Sequence, residues 1–107
     1  MYDLTWADCD RLKADARGKA VVGQLIRSAG SISANMEEGY ARGLKTGREY
    51  GYFLRVALGS ARETQGWYWR GRLLLPEPVT AHRLALLDEI ISLTVNQIKR
   101  YAIEDRR

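Results

Sequence analysis

The sequence predicts an all-α chain of four helices, the first of them short, on three observations. No stretch alternates apolar and polar residues with β-branched enrichment, as a half-buried strand requires. Apolar residues instead step by three and four through long segments, the period of a helix with one buried side. Turn chemistry interrupts those segments at Arg17-Gly18, at Gly43–Thr46 and at Pro76-Glu77-Pro78. A chain of 107 residues has room for one core, so residues 1–107 are expected to form a single domain.

Thr5 with Asp8 three residues later resembles a capping box, which starts a short helix running to about Asp15. The second helix is expected from about Lys19 to Arg42. Its apolar or small stripe is Val22, Leu25, Ala29, Ile32, Met36 and Gly39. Gly43 reads as its stop, and Thr46 as the cap of a third helix with Glu49 in the first turn. That helix is expected from Gly47 to about Leu74, where Pro76-Glu77-Pro78 breaks it. Thr80 would open the last helix, reaching about Glu104. At ~1.5 Å per residue, helices two to four span roughly 36, 42 and 37 Å and the first only ~16 Å. The short helix therefore cannot cover the groove left by the other three. The last helix is also apolar on more than one side, with Leu84, Leu87, Ile91, Val95 and Ile98 on one stripe and Leu86, Ile90 and Leu93 on another. Self-association is the expected consequence.

Composition excludes several classes. One cysteine, Cys9, precludes an intramolecular disulfide, and the single His82 precludes a multi-His or Cys/His zinc cluster. No apolar run approaches the ~20 residues of a membrane-spanning helix, and the start does not read as a signal peptide. A soluble, cytoplasmic protein with no membrane role is expected, with no cofactor and no metal. The net charge is +4 and is unevenly spread. Residues 42–72 carry seven Lys/Arg against two Asp/Glu, whereas the segments on either side are close to neutral. Thirteen of the seventeen cations are arginine, the side chain suited to multidentate contact with phosphate or carboxylate. Arg48, Arg55 and Arg62 step by seven along the third helix and form one stripe. Such a stripe faces phosphate or is consumed in salt bridges.

Helix two carries a second stripe, Ser28, Ser31, Asn35 and Glu38. Asn35 and Glu38 could act as hydrogen-bonding and acid/base groups, but catalysis needs a nucleophile, a base and an orienter. His82 lies far along the chain, and Cys9 sits between Asp8 and Asp10, which raise a thiol pKa. A polar network that fixes helix register, with Arg55 and Ser60 opposite, is the favoured reading. No phosphate loop, calcium loop or GxSxG elbow is present, so an enzyme is not expected. On helix three, Gly59 and Gly66 lie seven apart with Tyr52 and Leu73, a pattern that permits close helix approach. Trp67-Tyr68-Trp69 spans about 200° of helix surface, so not all three rings reach one core. Trp67 and Trp69 are candidate interface residues; stacking on nucleic-acid bases is the competing use.

The string Gln24–Tyr40, QLIRSAGSISANMEEGY, together with Phe53–Glu63, FLRVALGSARE, resembles the two signatures of the bacterial proteins encoded in intervening sequences of 23S ribosomal RNA genes. The similarity covers roughly residues 20–104. It implies an antiparallel, up-down four-helix bundle assembled as a homopentamer, and kinship with the accessory variability-determinant protein of diversity-generating retroelements. That relative is a basic pentamer associated with a reverse transcriptase and its template RNA. Asn35, Glu38, Gly39, Tyr40, Arg55, Gly59, Ser60 and Glu63 are the matching motif residues; no catalytic residues come with the family. Ser33 stands where family members often have Pro. The usual long first helix is replaced by a short or truncated one, residues 1–4 being its last turn and 5–15 part of the connection onward. The expected function is a non-enzymatic, homo-oligomeric platform for RNA, DNA or a nucleic-acid enzyme, contacted through Arg42, Lys45, Arg48, Arg55 and Arg62, with Arg70 and Arg72 as outliers. The alternative is a structural assembly protein whose arginines pair with Glu37, Glu38, Glu49 or Glu63 across subunits.

Overall fold

The computed structural model describes residues 1–43 and 47–105. Four helices run in order: α1 (Tyr2–Leu12), α2 (Ala16–Gly43), α3 (Gly47–Arg70) and α4 (Glu77–Asp105), with a 3₁₀ turn at Arg72–Leu74. Each packs against the next in antiparallel fashion. Tyr2 meets Gly30 while Leu12 meets Gly18. Ser28 pairs with Thr64 and Gly39 meets Phe53, whereas Gln65 bonds Asp88 and Tyr50 stacks near Tyr101. The result is the expected all-α, up-down bundle with a short first helix, 52 × 20 × 17 Å in extent.

The boundaries differ from expectation where the capping atoms are not the ones the sequence advertises. Thr5 is no N-cap: Met1 is, its carbonyl accepting the Thr5 N–H at 3.0 Å with no side-chain cap. Residues 2–12 form one helix, not the end of one helix and a connection. α2 begins at Ala16, ahead of Lys19, because Asp15 caps it; its carboxylate accepts the Arg17 N–H at 2.8 Å and its carbonyl the Lys19 N–H at 3.1 Å. α3 stops at Arg70 and tightens into the 3₁₀ turn rather than reaching Leu74. α4 starts at Glu77, not Thr80. The Pro76 carbonyl accepts the Val79 and Thr80 N–H groups, and Pro78 sits in a first turn where no donor is missed. Leu44, Lys45 and Thr46, including the expected third-helix cap, lie outside the described residues.

The core consists of Leu12, Leu25, Ile32, Ala61, Tyr68, Leu75 and Leu87, flanked by Val22, Met36, Leu84, Ile90 and Ile91. The expected α2 stripe faces it. Glycine is required at two close approaches. A Cβ at Gly18 would strike the Leu12 carbonyl oxygen, so the α1–α2 corner closes only over a bare backbone. A Cβ at Gly39 would stand 2.6 Å from Phe53 Cβ, where α2 and α3 meet. Gly59 and Gly66 do not serve this purpose, contrary to expectation. Gly59 is exposed with open space around it, and the space at Gly66 is filled by Arg70 from its own helix.

Polar bonds bind the helices as well. Between α2 and α3, Thr64 Oγ1 lies 3.0 Å from Ser28 Oγ, and Ser60 donates to Ser31 Oγ at 2.8 Å. Asn35 bonds Ser31 at 2.8 and 2.9 Å. Glu38 and Arg55 stand outside this seam, both exposed, which corrects their expected place in it. A second network ties α1 to α3 and α4. Tyr68 donates to Asp8 Oδ2 at 2.6 Å and accepts from Thr5 Oγ1 at 2.9 Å, because a carboxylate has no proton to give back. Arg83 grips the same carboxylate with Nε at 2.8 Å and Nη2 at 3.1 Å. Thr5, Asp8 and Tyr68 are fully or almost fully buried.

Burial, and then the Asp8 carboxylate, push the Tyr68 hydroxyl well above the ordinary tyrosine range. A folded-state pKa above the unfolded value stabilises the fold fully below the unfolded pKa, and that stability is lost as pH rises through the folded one. Melting temperature is therefore expected to fall above about pH 10, more steeply for the wild type than for Tyr68→Phe, which has no hydroxyl to ionise. Identical alkaline slopes for the two proteins would contradict the network.

The groove anticipated from helix lengths is present. Beyond Met1, α2 and α4 flank a mainly apolar groove of about 610 Å³ lined by Tyr2, Ile32, Met36, Ile90 and Leu93.

Candidate nucleic-acid interface

The buried residues Leu54, Ala57, Ala61, Thr64 and Tyr68 fix which side of α3 faces inward. At 3.6 residues per turn the opposite side carries Arg48, Tyr52, Arg55, Gly59, Arg62, Gly66, Trp69 and Arg70. Arg48, Arg55, Arg62, Tyr52 and Trp69 are all exposed, the two rings by 60% and 55%. Of the α3 carboxylates, Glu63 stands at the α2 edge of that side, seven residues from Arg70, where it pairs with Arg27 of α2. Among the described residues Arg48, Arg55 and Arg62 make no ion pair. Gly59 leaves bare helix between two of the arginines. Among the described residues the face carries three unpaired arginines and two rings, with its one acid, Glu63, neutralised by Arg27 at the edge.

The remaining candidates fall elsewhere. Arg42 is bound to Glu38 at 2.6 Å and lies over the Phe53 ring, on the α2 side of α3. Lys45 lies outside the described residues. Glu63 accepts Arg27 at 2.6 Å, with Trp67 Nε1 3.5 Å from the same oxygen. Trp67 is half-buried against the core under Arg70, whereas Trp69 projects outward beneath Arg72, whose guanidinium stands 3.9 Å from the ring centroid. Tyr40 is exposed near the end of α2. Asn35 and Glu38 therefore part company: the first is tied into the α2–α3 seam and the second to Arg42 on the surface. Arg55 is not an internal ion-pair partner. Exposed Tyr52 is the residue that sequence reasoning assigned to packing; its signal was its phase, shared with the arginines and opposite Ala57 and Ala61.

Cys9 is buried, and its thiol is pushed up first by that burial and then by Asp8 and Asp10. A thiol so placed is a poor nucleophile. Among the described residues no cluster of three or more metal-ligating side chains occurs, and no helix is long and apolar enough to cross a membrane.

Compared with known proteins, the chain matches the family model described as 23S rRNA-intervening sequence protein over residues 10–96. No curated protein and no solved structure matches it.

Proposed function

Since the chain belongs to the 23S rRNA-intervening sequence protein family, we propose that it is a non-enzymatic, homo-oligomeric platform that binds nucleic acid, single-stranded RNA in the first instance, through the outer face of α3. The observation that carries this reading is the stripe of Arg48, Arg55 and Arg62, free of ion pairs among the described residues and interleaved with exposed Tyr52 and Trp69. Guanidinium groups follow a phosphate backbone, and rings stack on bases without demanding a sequence. A reverse transcriptase that works on such RNA is the protein partner consistent with the resemblance. Glu38 and Glu63 pair with Arg42 and Arg27 of their own chain, which leaves fewer acids to absorb the stripe across subunits.

Self-association follows from the apolar groove beyond Met1 and from exposed Trp6 and Leu93. A pentamer is the assembly favoured by the resemblance. Sedimentation is expected to give a mass above that of one chain, and a monomer at every concentration would refute the assembly. For nucleic acid the test is affinity for labelled single-stranded RNA between about 50 and 200 mM salt. Three contacting arginines predict a log–log slope near −2, from about 0.7 per phosphate on a single strand. A flat response would favour the purely structural reading.

A further inference from the structure

We infer that the cavity at the α3–α4 corner receives one unstacked base of the strand carried by the arginine face, an inference that rests on the reading above. The cavity, about 450 Å³, is lined by Trp69, Arg72, Leu73, Leu75, Thr80 and Leu84. That volume is in the range of small-molecule pockets, roughly 300–1,000 Å³. It adjoins the cationic face directly, because Trp69 stands two helical turns beyond Arg62 on the same side of α3.

Its chemistry is that of a flat ring with a polar edge. Leucine walls and an indole suit the ring, and Leu73, 84% exposed, offers apolar surface that a bound ring would cover. The polar group is Thr80. Its Oγ1 is buried with no hydrogen-bond partner among the described residues. Thr64 and Thr94 return their hydroxyl protons to the carbonyl four residues back, at 2.7 Å each. For Thr80 that carbonyl belongs to Pro76 and already accepts two N–H groups. Thr80 lines the cavity while its hydroxyl, shut off from solvent, keeps a proton and lone pairs unmet, and a buried unpaired hydroxyl carries a desolvation cost until a partner arrives. Glu77 also stands on the wall. It repels phosphate but accepts from an exocyclic amine, so the base enters and the phosphates stay outside on the arginines.

The test compares the full chain's affinity for a labelled oligocytidylate of about 12 nucleotides, within the range of single-strand site sizes, with that for an abasic ribose-phosphate oligomer of equal length. The base-bearing strand is expected to bind about tenfold tighter, the scale of one stacked base. Ala81→Trp, at an exposed position that also lines the cavity, should cut that excess to what stacking on Tyr52 supplies and leave the salt slope unchanged. Thr80→Val, which keeps the shape and removes the hydroxyl, should reduce it. Equal binding of the two polymers by the wild type, or an excess that neither variant reduces, overturns the base site while leaving the arginine face standing. Binding of neither polymer overturns both.

Discussion

Asp8→Ala is expected to destabilise the fold by about 3–5 kcal/mol, the cost of removing one partner from a buried ion pair. The Arg83 side chain is 13% exposed and that of Asp8 2%, so a guanidinium left alone there keeps little water. Tyr68 loses its acceptor in the same step. Asp8→Asn should cost less, because the amide oxygen still accepts from Tyr68 while the charge is gone. The sharper comparison is Asp8→Ala with Arg83→Met, which removes both charges; replacing a buried pair by apolar groups is close to neutral. The double variant should therefore recover most of the lost stability in urea unfolding. A single Asp8→Ala cost below about 1 kcal/mol, the range of surface pairs, would refute the network's role.

Reversal of the stripe by Arg48→Glu, Arg55→Glu and Arg62→Glu together should weaken RNA binding at least a hundredfold at low salt and bring the log–log slope toward zero, with about 0.7 lost for each phosphate contact removed. Circular dichroism and melting temperature should change little, since all three side chains are exposed and unpaired among the described residues. Reversal of Arg42 and Arg27, compared with reversal of Arg48 and Arg62 alone so that the charge change is equal, is the control. Arg42 and Arg27 engage glutamates of their own chain, so their reversal should disturb stability slightly and affinity far less. Equal losses from the two sets would mean that bulk charge, not this face, attracts the ligand.

Most of the bundle was legible in the residues. The α2 stripe from Val22 to Gly39 and the proline break carry their own periodicity and backbone chemistry, so three long helices and a short one could be read directly. The starts of α1, α2 and α4 could not, although that of α3 at Gly47 could. Thr5 has the chemistry of a cap and equally that of a buried hydroxyl, and its partner is 63 residues away. Met1 and Pro76, which do cap, do so through carbonyls that every residue possesses. Asp8 reads in the sequence as a capping-box partner of Thr5 and a neighbour of Cys9, and nothing local signals Arg83, 75 residues on, which closes around it. At the candidate interface the arginine stripe was visible, but the roles of Gly59, Gly66 and Tyr52 depended on the phase of α3. Ala57, Ala61 and Tyr68 set that phase. Gly59, two residues from each alanine, points away from both, so the information was local but had to be combined with burial.

The way α1 is attached bears on how the chain assembles in time. α2, α3 and α4 meet through contacts of neighbouring elements, whereas Thr5 and Asp8 reach partners 60–75 residues away. Loop-closure entropy must be met before such distant bonds form. The three long helices can therefore collapse first, with α1 docking last as a latch. In reverse, α1 is expected to open ahead of the other helices, exchanging its amide protons and exposing Cys9 first, and hydrogen exchange of the α1 amides checks this.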